Sequence, residues 1–450
     1  MVFKNSALES LELIVILMND IKKKIFELID NYCQISFNKK DFIPGQSDIP
    51  VTGKVIDSLE IKNIVEASLD GWLTTGRFNS LFQKQLAEFL NIKSLITVNS
   101  GSSANLIAFS TLTSPKLKER AIKKGDEVIT VAASFPTTVN PIIQFGAIPV
   151  FIDIKVPNYN INENLVEEAI TEKTKAIMIA HTLGNPFNLK KIKEICEKYN
   201  LWLIEDTCDA LGSKFNGQFV GTFGDIATLS FYPAHHITMG EGGAVFTNNI
   251  RLRRIAESFR DWGRDCYCES GKDNTCNKRF EWQLGDLPFG YDHKYTYSHM
   301  GYNMKITDMQ AACGVAQLTK LNTFINARKN NFNFLYKNLK NLEDFLILPE
   351  AEFNSEPSWF GFPLSIRDNK KFTRNKLINF LNDSKIGTRL LFSGNLTKQP
   401  YMKNITFKVH KSLPNTDFVM ENTFWIGIYP GLTEDHLSYA ADKIKNFFYN

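Results

Sequence analysis

The chain has 450 residues, 43% hydrophobic and 22% charged, with a formal net charge of +4. That length supports a large core divided over two or three domains. The small basic excess is spread along the chain, with no Lys/Arg block interleaved with aromatics, and this excludes a nucleic-acid footprint.

The first predicted element is a helix. Its apolar run "LELIVILM" (Leu11–Met18) is too short to span a bilayer. Glu9 and Glu12 flank or interrupt it, and no small-residue cleavage site follows, so it does not read as a signal peptide. Continued through "NDIKKKIFELI", the spacing predicts an amphipathic docking helix in an N-terminal extension, residues 1–57. A cytoplasmic protein with no membrane partner is expected. In that compartment the seven cysteines are thiols or metal ligands rather than disulfides.

"DIPVTGKVIDSLE" leads through a loop into a helix near Ser58. From about Leu95 to Asn248, "SLITVNS", "DEVITVAAS", "IPVFIDI", "KAIMIAH", "LWLIEDT", "DIATLSFY" and "GAVFTN" are predicted strands, with helical patterns between several of them, such as Asn188–Tyr199. Short apolar runs alternating with helices predict an α/β fold whose central sheet is mostly parallel. This large domain is expected over 58–320, with a cysteine-bearing insertion at about 264–300. A long helical stretch runs on to about Asn341. The remainder of 321–450 reads as a smaller C-terminal α+β domain.

Ligands of such sheets bind beyond the carboxyl ends of the strands. In "NSGSSAN", Gly101 admits a close ligand, and Ser102 and Ser103 open a helix whose N–H groups suit phosphate; the same residues also make an ordinary helix cap. Phe135 follows the second strand, where it could stack on a flat ring or simply fill core. Asp206, in "EDTCDA", ends a buried strand and needs a partner such as a pyridinium nitrogen, unless it caps the next helix. Ser230 could add a hydroxyl to the phosphate cup. Taken in this order, the residues suggest a pyridoxal-phosphate-type site.

Cys266, Cys268 and Cys276 fall in "DCYCESGKDNTC", and Cys208 precedes them in "EDTCDA". Four thiolates at this spacing suit 2Fe–2S or structural zinc, and free thiols are a third reading. Cys208 lies two residues from Asp206, which puts a metal there on the order of 10 Å from a bound ring and favours an electron donor. Cys33, Cys196 and Cys313 fit no ligand position and read as buried thiols.

"SGSSAN", "EDTCDALGS", "SFYPAHHITMGEGGAVFTNN" and "GYNMKITDMQAA" resemble the DegT/DnrJ/EryC1 sugar aminotransferases of fold type I, over Ser58 to Lys320 and on toward the C-terminus. The resemblance places His235 where the family carries its Schiff-base lysine, and no lysine occurs between Asn216 and Arg251. Imidazole forms no Schiff base with the cofactor but suits a general base near neutral pH. Pyridoxamine 5′-phosphate (PMP) would then be held non-covalently, and the reaction becomes dehydration at sugar C3. His236 replaces the family's usual Asn and would point away from His235 in an extended segment; it is the competing base or a substrate contact.

With the Cys208-x57-Cys266-x-Cys268-x7-Cys276 spacing, the chain is similar to the iron–sulfur 3-dehydrases that act on CDP-4-keto-6-deoxyglucose. That resemblance implies PMP, a 2Fe–2S cluster on the four cysteines, an NADH-dependent flavin iron–sulfur reductase as partner, and a homodimer. The nucleotide-sugar product would be a 3,6-dideoxy sugar of the kind found in lipopolysaccharide O-antigens. Asp206 would bind the pyridine nitrogen, Asp209 would lie near the ring hydroxyl, and Phe135 would stack. Gly101, Ser102 and Ser230 would hold the phosphate, and Asn303 would reach it across the dimer. Tyr232 is a substrate-orienting or core tyrosine. The competing expectations are an iron-free dehydratase of a GDP-sugar, with PMP regenerated from glutamate, and a non-catalytic family member.

Overall fold

The seven apolar runs form strands, each buried along nearly its whole length: β1 (Ser94–Val98), β2 (Glu127–Val131), β3 (Ile148–Ile152), β4 (Thr174–Ala180), β5 (Trp202–Asp206), β6 (Ile226–Ser230) and β7 (Gly243–Thr247). A computed structural model describes residues 2–37, 41–268, 271–367 and 371–449. The strands join one sheet in the order β1-β7-β6-β5-β4-β2-β3. From β6 through β3 the pairing is parallel, while β7 runs against both β6 and β1. Burial on both faces explains why the runs are continuously apolar rather than alternating. The carboxyl ends of the parallel strands therefore share one edge, and that is where the site residues sit.

The helices are α1 (Val2–Ser36), α2 (Ser58–Leu69), α3 (Arg77–Leu90), α4 (Gly101–Leu112), α5 (Pro136–Phe145), α6 (Leu189–Tyr199), α7 (Ile250–Arg260), α8 (Asp308–Leu318) and α9 (Leu321–Leu339). Residues of α4 and α7 pack with β1, β2 and β5 in one apolar cluster. Residues of α3 and α8 pack with β6 and β7 in another. A second, antiparallel sheet of Leu346–Ile347, Phe362–Ile366, Thr423–Ile426 and Thr388–Leu390 builds the C-terminal α+β part. Lys408–Val409 leaves it to pair in parallel with β3 at the edge of the main sheet.

α2 starts with a capping box between Asp57 and Glu60. Glu60 is fully buried and holds Lys320 Nζ at 2.6 and 2.8 Å and Gln317 Nε2 at 2.7 Å, which ties α2 to α8 and the start of α9. α1 docks on α2 through Lys22–Glu66 (2.7 Å) and Asp30–Lys62 (2.5 Å), with Cys33 buried below. Its run Leu13–Met18 remains exposed all round the helix, and among the described residues the docking contacts lie in its C-terminal half. Among the described residues, no helix is long and apolar enough to cross a membrane.

Candidate active site and cysteine loop

Asp206 ends β5 nearly buried, and its partners are neutral donors. Oδ2 accepts from Asn105 Nδ2 (2.8 Å) and Thr138 Oγ1 (2.7 Å), and Oδ1 accepts from the Cys208 amide (3.1 Å). A buried carboxylate without a cation is suited to a positively charged ring nitrogen. The adjacent Glu205 points the other way and holds the chain ahead of β6. It accepts from the amides of Gly221 (2.7 Å), Phe223 (3.0 Å) and Gly224 (2.6 Å), and it meets His181 Nε2 at 3.1 Å.

The residues expected to hold a phosphate lie at the start of α4. Ser100, unremarked in the sequence, is the N-cap and accepts from the Ser103 amide at 3.1 Å. Gly101 is pressed against Ser230, so that a Cβ there would meet Ser230 Cβ at 2.4 Å. Ser102 is exposed at the same helix start. Phe135, the N-cap of α5, is 51% exposed, and Tyr232, just past β6, is 52% exposed. Asn303 is exposed too, with Lys305 Nζ at 2.9 Å from its Oδ1.

The two histidines occupy a turn closed by the His235 amide donating to Tyr232 O at 2.9 Å. His236 is buried and bonds the Ser358 carbonyl through Nε2 at 2.8 Å. Burial, reinforced by the nearby Arg328, holds its imidazole well below the ordinary histidine range. His235 remains partly accessible. Its Nδ1 stands 3.3 Å from Asp209 Oδ1 without completing a hydrogen bond. Burial raises the Asp209 carboxyl, with His235 pulling the other way.

Arg328 of α9, which the sequence reading missed, lies buried beneath this turn. Its guanidinium donates to the carbonyls of His235 (3.3 Å) and Ala234 (3.4 Å), and to those of Phe360 (3.0 Å) and Trp359 (3.4 Å). Burial brings its pKa down to about 10. An arginine on the apolar stripe of a helix that is otherwise largely polar, in line with Leu321, Phe324, Ile325, Phe332 and Leu335, was the available signal, but its partners lie up to 94 residues away.

In the cysteine insertion, donor atoms of Cys266, Cys268 and His293 all lie within 4.8 Å of one another. Cys276 Sγ is 3.5 Å from His293 Nε2. Cys276 and Cys208 are both outside that group of three; Cys208 Sγ sits beside the start of α4, 3.2 Å from where a Gly101 Cβ would be. Cys33, Cys196 and Cys313 are buried, and burial pushes the last two thiols up to about 12.

A mostly parallel sheet with one reversed strand, a helix opening directly after β1 and a buried carboxylate ending β5 match the fold of pyridoxal-phosphate enzymes of the aminotransferase type. Residues 54–445 match the model of the DegT/DnrJ/EryC1/StrS aminotransferase family, and the chain belongs to that family. It is 60% identical over 430 residues to the lipopolysaccharide biosynthesis protein RfbH of Salmonella typhimurium, covering 96% of this chain and 98% of the relative. It is 48% identical over 428 residues to the dTDP-4-dehydro-2,6-dideoxy-D-glucose 3-dehydratase of Saccharopolyspora spinosa, covering 95% and 92%. Among solved structures, it matches Escherichia coli GDP-4-keto-6-deoxy-D-mannose-3-dehydratase with bound hydrated PLP at a TM-score of 0.80 and 30% identity, over 88% of this chain and 99% of the other.

Proposed function

We propose that this protein removes the C3 hydroxyl of a nucleotide-activated 4-keto-6-deoxyhexose, with CDP-4-keto-6-deoxy-D-glucose as the expected substrate and PMP as cofactor. The observation that carries this reading is His235: an imidazole at the family's lysine position, backed by a buried carboxylate and left accessible on a strand-end turn. The 3-dehydratase names of two relatives support it.

The residues present fit the cofactor. Gly101, Ser102 and Ser230 form a cradle for the phosphate that a Cβ at residue 101 would fill. Asp206 keeps the pyridine nitrogen protonated, Phe135 covers the ring, and Asn303 would complete the phosphate site across a homodimer. PMP, when bound, supplies an amine for the sugar's keto carbon and a ring that takes up electron density as a proton leaves C4′. His235 takes that proton, with Asp209 orienting the ring and stabilising the imidazolium. His236, buried and bonded, holds the turn. Tyr232 would meet the sugar from the open side.

Reduction of the dehydrated product needs electrons. The soft donors of the 264–300 insertion fit a 2Fe–2S group that passes them singly from an NADH-dependent flavin iron–sulfur reductase. The test has two parts. With PMP and the CDP-sugar, His235→Asn should lower C4′ proton exchange by about 10²–10⁴-fold, while His236→Asn retains it; the reverse pattern moves the base to His236. Ultraviolet–visible and EPR spectra of anaerobically prepared protein should show iron–sulfur signals. Zinc in their place would leave dehydration without reduction.

A further inference from the structure

We infer that Asn105 and Thr138 are positioning residues for the cofactor's ring nitrogen: they commit Asp206 Oδ2 to the protein and leave Oδ1 to receive the ring N–H. The inference rests on reading Asp206 as the partner of a pyridine nitrogen, and it names the side chains that aim it. A carboxylate accepts through two lone pairs on each oxygen. Asn105 Nδ2 (2.8 Å) and Thr138 Oγ1 (2.7 Å) use both pairs of Oδ2. The Cys208 amide (3.1 Å) uses one pair of Oδ1. One pair is left, on Oδ1. Neutral donors suit this task, because a cation in their place would satisfy the charge that the ring is meant to meet.

Thr228 keeps that last pair open. Its hydroxyl stands 2.7 Å from Asn105 Oδ1 and 3.5 Å from Asp206 Oδ1, and its single hydrogen goes to the nearer acceptor. The orientation of the Asn105 amide follows from the same count. Turned over, it would set its carbonyl oxygen against Asp206 Oδ2, two acceptors with no hydrogen between them. The donors therefore run one way, from Thr228 through Asn105 to Asp206. Asn105, Thr138 and Thr228 are each at most 1% exposed, so water replaces none of these bonds. They come from three elements: α4, the first turn of α5, and β6, where Thr228 lies opposite Asp206 in the sheet. Asn105 sits one turn beyond Gly101 and Ser102 on α4. One helix thus places both the residues expected at the phosphate and the donor that aims the carboxylate.

Equilibrium binding of two ligands to the cofactor-stripped full chain tests this: PMP, and its 1-deaza analogue, in which C–H replaces the ring nitrogen. Wild type should bind PMP about 10–100-fold more tightly than the analogue, and Asp206→Ala should lose that ratio. Asn105→Leu and Thr138→Val should each shrink it about 3–10-fold, while Thr138→Ser, which keeps the hydroxyl, matches wild type. Losing Asn105 frees the Thr228 hydrogen to turn to Oδ1, so Asn105→Leu/Thr228→Val should recover part of the ratio that Asn105→Leu loses. Residues that only support the core would weaken both ligands alike, and the double variant would then be the worse. The inference is overturned if both single variants keep wild-type discrimination, or if the double variant discriminates less than Asn105→Leu. Wild type that binds no PMP, or binds it no better than the analogue, overturns the ring-nitrogen reading of Asp206 and this inference with it. Wild type that discriminates leaves that reading standing, whatever the variants do.

Discussion

Adjacent histidines in one turn have opposite surroundings, and this separates their roles. His235 has a carboxylate behind it and an accessible face; His236 is enclosed and bonded to a backbone carbonyl. We expect His236→Asn to lower unfolding free energy in urea by about 1–3 kcal/mol, the cost of stranding a buried acceptor, while C4′ exchange persists. Arg328→Met removes the donors to four carbonyls and should cost more, about 3–5 kcal/mol, with slowed C4′ exchange because the His235 backbone loses its support. The sequence showed that a histidine stands where a lysine is expected. It could not show that Asp209, Arg328 and Ser358 surround that turn, because strands and α9 bring those residues together from distant positions.

At the level of elements, the motif "GYNMKITDMQAA" is explained by its caps. Thr307 and Gln310 form the capping box of α8, while Asp308 reaches across to α3. Its carboxylate accepts from the amides of Gly76 (2.9 Å), Phe78 (3.1 Å) and Asn79 (2.8 Å), the free donors at the start of that helix. Asp308→Ala should destabilise by about 2–4 kcal/mol in chemical denaturation. His299 fastens the far end of the cysteine insertion, bonding Ser114 Oγ at 2.7 Å and Ser258 Oγ at 2.8 Å. Burial, with Lys116 adding to it, brings its pKa down to about 4 from 6.5. Between those values the unfolded chain binds the extra proton, so stability rises with pH through this window and is lost as pH falls. We expect about 2–3 kcal/mol from this source, removed in His299→Gln when unfolding is measured across pH 4–6.5.

For the whole molecule, the N-terminal helix is the informative case. Leu13–Met18 are exposed, so replacing these six residues with polar ones should leave the thermal midpoint within about 1–2 °C of the full chain. Deletion through Gly53 should lower it clearly, because Ile49 and Val51 are core residues of the C-terminal and main clusters. Local apolar patterning was enough to locate seven strands and the α/β class, since burial on both faces writes itself as short continuous runs. Glycine and serine after β1, aspartate after β5 and histidine after β6 were equally legible, because strand ends are where such sheets bind ligands. Strand order, the reversal of β7 and the return of Lys408–Val409 to β3 were not, because pairing partners lie far apart in sequence. The cysteine spacing by itself raised the reading of a metal loop, with 2Fe–2S, zinc and free thiols as its alternatives. That donor atoms of Cys266, Cys268 and His293 come within 4.8 Å of one another was decided by tertiary structure, because His293 is brought to the cysteines by the folding of the loop.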